Sequence, residues 1–553
     1  MGALPAAVLL LLSNPILAQD ADQAAEDLGA ITVTSPRVEK SLNEVPGAIS
    51  KVGKDDIQLG QQQLTIDEAL KEVPGVFVLN SYNYAQDSRI MIRGFGARAD
   101  FGIRSIKLYV DGIPSTTPDG QGGVDGIDFG SAASIEVIRG PASSLYGAAA
   151  GGVISITTED GPPVPYAEAR YTVGEYDFDK TQLKFGGDNG PLNYTFSASR
   201  LHFEGYRDHS KAENVKFNSK VRYDFDSTSS LTAVMNIIDM PIQDDPGALL
   251  LSEVAADRRQ ARARNLQFDG GESVEQQKLG FVYRNEIAPG HEIQLRNYYV
   301  MRNLDNKLPF GSPVFPFEPG GQIDLDRFFF GGGAQYTFTG DINQFTLGFD
   351  VDQQTDDRKE FDNLNGAKGP LSLNQEEDVN SIGIFAFNEQ YLTDTLTLSG
   401  GIRYDRVRFK VTDKFFNDSA IGFPPQPDTV LDDSGVIEFE ELSPMVGLLW
   451  SPHRSINLYS NVSTSFETPT TTEFANPAGG GAAGGFNQNL ESQTATNYEV
   501  GMKGIVPEWW SLTYNAAVFH IDVKNELVGI ELANNREVFR MLHHQIAMDS
   551  NLA

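Results

Sequence analysis

The sequence predicts a transmembrane antiparallel β-barrel preceded by a compact α/β domain, on three observations. From Ala167 onward, alternating segments of roughly 10 residues recur, the length a tilted membrane strand needs. Tight turns such as Asp224 to Ser229 alternate there with long polar loops, Asp239 to Glu275, Asp305 to Asp326, Thr412 to Glu438 and Thr468 to Thr494. That one-sided loop pattern is the layout of an outer-membrane barrel. Ahead of it, residues 41–160 have a different texture, with one helical patch and several strands separated by Gly and Pro.

Composition agrees with this class. The chain has 553 residues, too many for one ordinary core, with 54 Gly, 34 Phe, 19 Tyr and no cysteine. Beyond the N-terminus no stretch approaches the roughly 20 apolar residues of a membrane-spanning helix. Aromatic and glycine richness without long apolar runs favours all-β architecture. Absent cysteine excludes a disulfide framework and structural Cys-zinc sites. A formal charge of −32 argues against a nucleic-acid partner, since phosphate neutralisation needs a basic surface. Any anionic ligand must therefore meet a local basic cluster that reverses the global field.

Taken in order, residues 1–18 (MGALPAAVLLLLSNPILA) read as a secretory signal peptide, an apolar core ending in a small residue. No Lys or Arg precedes that core, and Ile16 stands three positions before the cut. Residues 19–40 form an acidic, small-residue linker that should be disordered. Within it lies the β-prone run Ala30, Ile31, Thr32, Val33, Thr34. This run is either a strand added to a partner's sheet edge or the first strand of the next domain.

Residues 41–162 make the α/β domain. DEALKEVPGVFV sets Ala69, Leu70 and Val73 at helical spacing before Pro74-Gly75 ends the helix. In IRSIKLYVDG, Ile106, Leu108 and Val110 share one face, and Lys107, Tyr109 and Asp111 the other. SIEVIRGPASSLYG and GGVISITT supply two more strands. Residues 163–540 carry the barrel segments, among them ARYTVGEYDF, LNYTFSASRLHF, KFNSKVRYDF, IGIFAFNEQYL and INLYSNVSTSF. In LNYTFSASRLHF, Leu192, Tyr194, Phe196 and Ala198 face one way and Asn193, Thr195, Ser197 and Ser199 the other.

These motifs resemble the TonB-dependent outer-membrane receptors over almost the whole chain. DLGAITVTS is similar to their TonB box, which favours the partner-binding reading of Ala30 to Thr34. DEALKEVPGVFV, IMIRGFGAR, LYVDGIP, IEVIRGPASSLYG and GGVISITT follow the family's plug pattern in order. The resemblance implies a 22-stranded barrel whose lumen is filled by the N-terminal plug domain. It also implies partners: TonB with the ExbB-ExbD motor, outer-membrane lipid, the barrel-assembly machinery and a small-molecule ligand. A monomer is expected, with no permanently bound cofactor and no metal. A narrower stretch, NYAQDSRIMIRGFGARADFGIRSIKLYVDGIPSTTPDGQG with EGYRDHS, DDPGAL and FETPT, resembles receptors for pyrroloquinoline quinone (PQQ), a planar tricarboxylate. A ferric siderophore or ferric citrate is the alternative cargo.

The resemblance also assigns residues. Arg93 in IRGF and Arg139 in VIRGP match plug arginines that latch onto barrel carboxylates, here Glu467 in TSFETPT and Glu499 in NYEVGMK. A buried arginine stays charged and needs such partners. For the ligand, Arg98 and Arg104 offer forked donors to carboxylates, and Tyr82, Tyr84 and Phe101 offer aromatic faces. Gln86 lies beside them, and Arg207 and His209 in GYRDHS stand ready to close from a barrel loop. The competing expectation is that Arg98 and Arg104 only pair with Asp87, Asp100 or Asp119.

No enzyme is expected. Seven histidines are scattered, no GxSxG or HExxH occurs, and AGGGAAGGF lacks the Lys-Ser/Thr of a phosphate loop. A passive porin is the rival of another class, yet a porin needs neither a plug nor a partner-binding strand. The likeness stops after Arg540. Residues 541–553 (MLHHQIAMDSNLA) lack strand alternation, and about 16 strand candidates stand against the family's 22. The expectation is a C-terminally truncated, incomplete barrel with an aberrant tail, the product of a frameshift or early stop, unable to insert or transport because of its open edges.

Overall fold

A computed structural model describes residues 32–34, 37, 40–99, 102–309, 319–415, 434–453, 455–474, 486–506, 512–531, 537–542 and 545–551. The signal-peptide segment, Ala30, Ile31, Asp100 and Phe101 lie outside the described residues.

Among the described residues one antiparallel sheet holds 16 strands, 15 of them from the period-two segments. They lie in strict chain order from Tyr166–Val173 to Leu512–Lys524, with Gln545–Asn551 on the last edge. Among the described residues no ladder joins the first strand to the last. LNYTFSASRLHF forms a single strand, Leu192–Phe203. Asn193, Thr195, Ser197 and Ser199 are buried, whereas Leu192 is exposed. The polar face therefore points inward and the apolar face outward, the inverse of a soluble sheet and what a lipid-facing wall requires.

The sequence reading needs three corrections here. ARYTVGEYDF is not one strand, because the chain turns between Val173 and Asp179. The expected loop Asp239 to Glu275 narrows to 245–270, since the flanking strands Ser229–Asp244 and Gly271–Ala288 extend into it, and other strands are long as well. Asn343–Leu364 and Ala367–Thr393 run 22 and 27 residues, against roughly 9–11 for a simple crossing. In the tail, Gln545–Asn551 forms a strand paired with Leu512–Lys524. Backbone groups on an open edge bond to whatever segment follows, so pairing here does not depend on side-chain alternation.

The N-terminal domain holds a five-stranded sheet, ordered Ile49–Gly53, Ala132–Arg139, Gly152–Thr158, Ile106–Val110, Ile113–Pro114. Ala69, Leu70 and Val73 are buried in its core, and the helix Asp67–Leu70 ends before Pro74 as expected. Ile106 and Leu108 join that core, but Tyr109 on the opposite face is buried as well. Both faces are covered because the domain sits inside the larger sheet. Side chains reach it from strands all along that sheet. Lys184 donates to the Gly130 carbonyl at 3.2 Å, Lys220 to the Thr158 carbonyl at 3.0 Å and Lys278 to Ser115 Oγ at 3.1 Å. Arg403 donates to the Leu145 carbonyl at 3.2 Å and Asn515 to the Ile49 carbonyl at 3.1 Å. The domain is a plug.

Candidate plug-barrel and ligand site

Arg93 follows the strand Arg89–Ile92 at a turn, with a left-handed φ of 52°, and Gly94 continues the turn at 88°. This turn sends the Arg93 guanidinium to Glu499 on the strand Gln493–Val506, at 2.5 Å. The two side chains are 3% and 2% exposed. The Phe519 ring lies 4.1 Å below the guanidinium. Glu499 also accepts from the Tyr459 hydroxyl at 2.8 Å and the Ala48 N–H at 3.2 Å. Gly140 leaves the room: a Cβ there would stand 2.6 Å from Arg93 Nη1. One of the two expected plug arginines is therefore paired with one of the two expected barrel glutamates.

The other is not. Arg139 donates to the Pro74 carbonyl at 2.9 Å, and burial beside Arg93 pushes its guanidinium below the usual arginine range. Glu467 pairs instead with Arg98 at 2.6 Å and Arg104 at 3.2 Å, and accepts a short hydrogen bond from Ser105. Glu473, in the four-residue helix Thr471–Phe474, completes the group at 2.8 Å from Arg98 and 3.4 Å from Arg104. Arg98 and Arg104 thus meet barrel glutamates, and neither Asp87 nor Asp119 is their ion-pair partner among the described residues. A guanidinium inside the lumen takes the nearest buried carboxylate, and Glu467 is already fixed there by its strand.

The remaining ligand candidates separate. Tyr82 is 67% exposed. Tyr84 packs edge-on to Phe203 at 6.3 Å, its buried hydroxyl lacks a hydrogen-bond partner among the described residues, and burial pushes its pKa up. Gln86 and Asn83 donate to Asp245 at 3.1 and 3.0 Å, docking the plug against the 245–270 loop. Arg207 and His209 bond to the carbonyls of that same loop. Arg207 donates to the carbonyls of Gly247 (2.6 Å), Pro246 (2.9 Å) and Gln260 (3.1 Å), and His209 Nε2 lies 2.8 Å from the Gly270 carbonyl. A folded loop must satisfy its own carbonyls, and these two residues do so. Below, a cavity of about 120 Å³ separates plug from wall, lined by Asp87, Asp125, Lys278, Arg302 and Arg327 among others. Burial and the nearby Asp125 push the Asp87 carboxyl up to about 6, against the opposing pull of Arg302.

At the short-turn end, Thr32–Val33 pairs antiparallel with Lys40–Ser41, and Val33 is fully buried. The Thr34 N–H donates to Glu136 at 2.8 Å, and Lys51 donates to the Thr32 carbonyl at 2.5 Å. Just beyond, Arg37 meets Asp350 at 2.8 Å; Asp350 also takes Arg296 at 2.7 Å and Arg403 at 2.8 Å. Lys40 contacts Glu389. Sequence reasoning missed Arg37, Asp350, Arg403 and Glu473. A signal existed for two of them: FDVD and RYD place acidic or basic residues at lumen-facing positions of otherwise amphipathic strands.

These contacts hold the plug against the wall. Two sequence models match in order. The model described as TonB-dependent Receptor Plug Domain covers residues 41–153, and that described as TonB dependent receptor-like, beta-barrel covers 165–539. The rhizobactin receptor of Rhizobium meliloti (strain 1021) is 22% identical over 509 residues, 82% of this chain and 65% of that protein. The vitamin B12 transporter BtuB of Vibrio vulnificus (strain CMCP6) is 31% identical over 137 residues, 25% of this chain and 22% of that one. This chain thus spans less than two thirds of either relative. In fold it is similar to the unliganded ferric citrate transporter FecA, with a TM-score of 0.72 at 17% identity, covering 90% of this chain and 72% of that one. It is likewise similar to the ferric yersiniabactin receptor FyuA of Yersinia pestis, with a TM-score of 0.70 at 15% identity, covering 87% and 73%. Matched across plug and barrel wall alike, the chain belongs to the TonB-dependent receptors, a family of the Gram-negative outer membrane.

Proposed function

We propose that the chain serves TonB-dependent uptake of a scarce, carboxylate-bearing small molecule across the outer membrane, with PQQ as the first ligand to test. The observation that carries this reading is the paired-arginine group on the plug, Arg98 and Arg104, held under the long-loop face of a strongly acidic protein. TonB, energised by ExbB-ExbD, would pull on Ala30 to Thr34, whose described part lies at the opposite end. Ferric citrate or a ferric siderophore is the second reading, favoured by relatives named for rhizobactin, yersiniabactin and ferric citrate. The test is growth or uptake with PQQ against ferric chelates in a strain dependent on this receptor. Uptake of ferric chelates alone would overturn the PQQ reading. Deleting residues 30–34 should leave binding intact and stop uptake; continued transport would instead mark a passive, porin-like channel.

A further inference from the structure

We propose that Glu473 is a resident substitute for a ligand carboxylate: it occupies the acceptor position on Arg98 and Arg104 that a carboxylate of the incoming molecule takes over. This rests on the reading that the ligand carries carboxylates.

The two glutamates on the arginine pair are held very differently. Glu467 ends the strand Ile456–Glu467 and is fixed by Ser105 Oγ and by Gln493 Nε2 at 3.3 Å. Apart from the arginines, Glu473 accepts among the described residues only from its own turn, the Thr470 N–H at 2.7 Å. Its backbone is anchored by Phe474, which lies 5.1 Å from both Phe409 and Phe486. The Glu473 side chain can therefore swing away while the helix stays in place. Its withdrawal strips Arg98 Nη1 of an acceptor at 2.8 Å. Arg104 is 3% exposed, and its Nη1 is already buried without an acceptor among the described residues. An unpaired buried donor on a charged group is costly, so this fork favours a further carboxylate oxygen.

Charge decides between addition and exchange. Arg98 stands in the field of Glu467, Glu473 and Glu526, and Arg104 shares the first two as ion-pair partners. A fourth anion added to that set is repelled, whereas one that replaces Glu473 leaves the local charge unchanged. The exchange selects for carboxylate ligands over neutral ones, because only an anion compensates the arginines that Glu473 leaves.

The test uses the full chain purified in detergent, with citrate as probe and PQQ as a second arm. Glu473→Gln removes the competing charge and should bind citrate about 10-fold more tightly than the unaltered protein. Glu473→Asp, which keeps the charge, should bind much as the unaltered protein does, and Arg104→Gln should lose most of the affinity. A neutral ferric hydroxamate should distinguish none of these variants. Equal or weaker citrate binding by Glu473→Gln, with Glu473→Asp behaving normally, would overturn the exchange. Absence of carboxylate uptake in cells would refute the proposed cargo class separately, since citrate binding reads the subsite itself.

Discussion

Replacing Glu499 by Gln is the sharpest perturbation of the plug's seat. The Arg93–Glu499 pair is 3% and 2% exposed, so it belongs with buried pairs. Breaking a buried pair from one side costs about 3–5 kcal/mol, because the remaining charge is left uncompensated. An exposed pair would cost about 0–1 kcal/mol. The Phe519 ring under the guanidinium keeps roughly 1–2 kcal/mol of cation–π attraction, which moves the expected loss to the lower end, about 3 kcal/mol. Arg93→Met should cost less, since Glu499 retains the Tyr459 hydroxyl and the Ala48 N–H as donors. The double variant should then lose much less than the two single losses combined, showing coupling of about 1–3 kcal/mol. The assay is a urea titration of the purified chain, with plug unfolding followed by hydrogen exchange of amides in Ile106–Val110 and Gly152–Thr158. With a slope of about 1–3 kcal/mol per M, Glu499→Gln should lower the midpoint by about 1 M or more. A loss below about 0.5 kcal/mol, or additive single losses, would refute the assignment of this pair as a buried latch.

Asp350→Asn should destabilise by about 3 kcal/mol or more, since it leaves Arg37, Arg296 and Arg403 without their shared carboxylate, and the same titration reads it. Gly140→Ala should cost about 1–3 kcal/mol in that assay, because φ is +97° and the new methyl carbon crowds the Arg93 guanidinium. Asp87 gives a pH dependence. Its folded-state pKa is raised from 3.8 to about 6, so the folded state holds this proton more tightly than the unfolded chain does. The resulting stability is complete below about 4 and is lost as pH rises through about 6. Plug stability relative to an Asp87→Asn variant should therefore fall between pH 4.5 and 7; a rise over that window would contradict the assignment.

Most of the fold is legible in the chain because lipid outside and a plug inside impose a strict period of two. Leu192–Phe203 shows it best, since every inward residue from Asn193 to Ser199 is polar and buried. Alternation is equally strong above the bilayer, however, so the upper limits of Asn343–Leu364 and Ala367–Thr393 are not marked by composition. The strand Gln545–Asn551 carries no pattern at all, because an edge is paired through backbone groups. The site follows the same logic. The chemistry of Arg93 and Glu499, a cation and an anion buried together, is visible in their residue types once both lie in the lumen. Which glutamate meets which arginine is set by register across more than 360 positions of sequence separation, as for Arg98 with Glu467. No local pattern contains that information. The carbonyl contacts of Arg207 and His209 were not legible for a related reason: a cationic loop residue serves loop carbonyls as readily as a ligand.

Enclosure of the N-terminal domain by the outward-apolar strands can be tested by cross-linking plug to wall. The chain has no native cysteine, so Ser115→Cys in the plug and Lys278→Cys on the wall can be introduced as a unique pair. In outer membranes from cells making this chain, a short bifunctional thiol reagent should join the two within one molecule. No cross-link between them, together with an N-terminal domain freely cleaved by added protease in those membranes, would contradict the account.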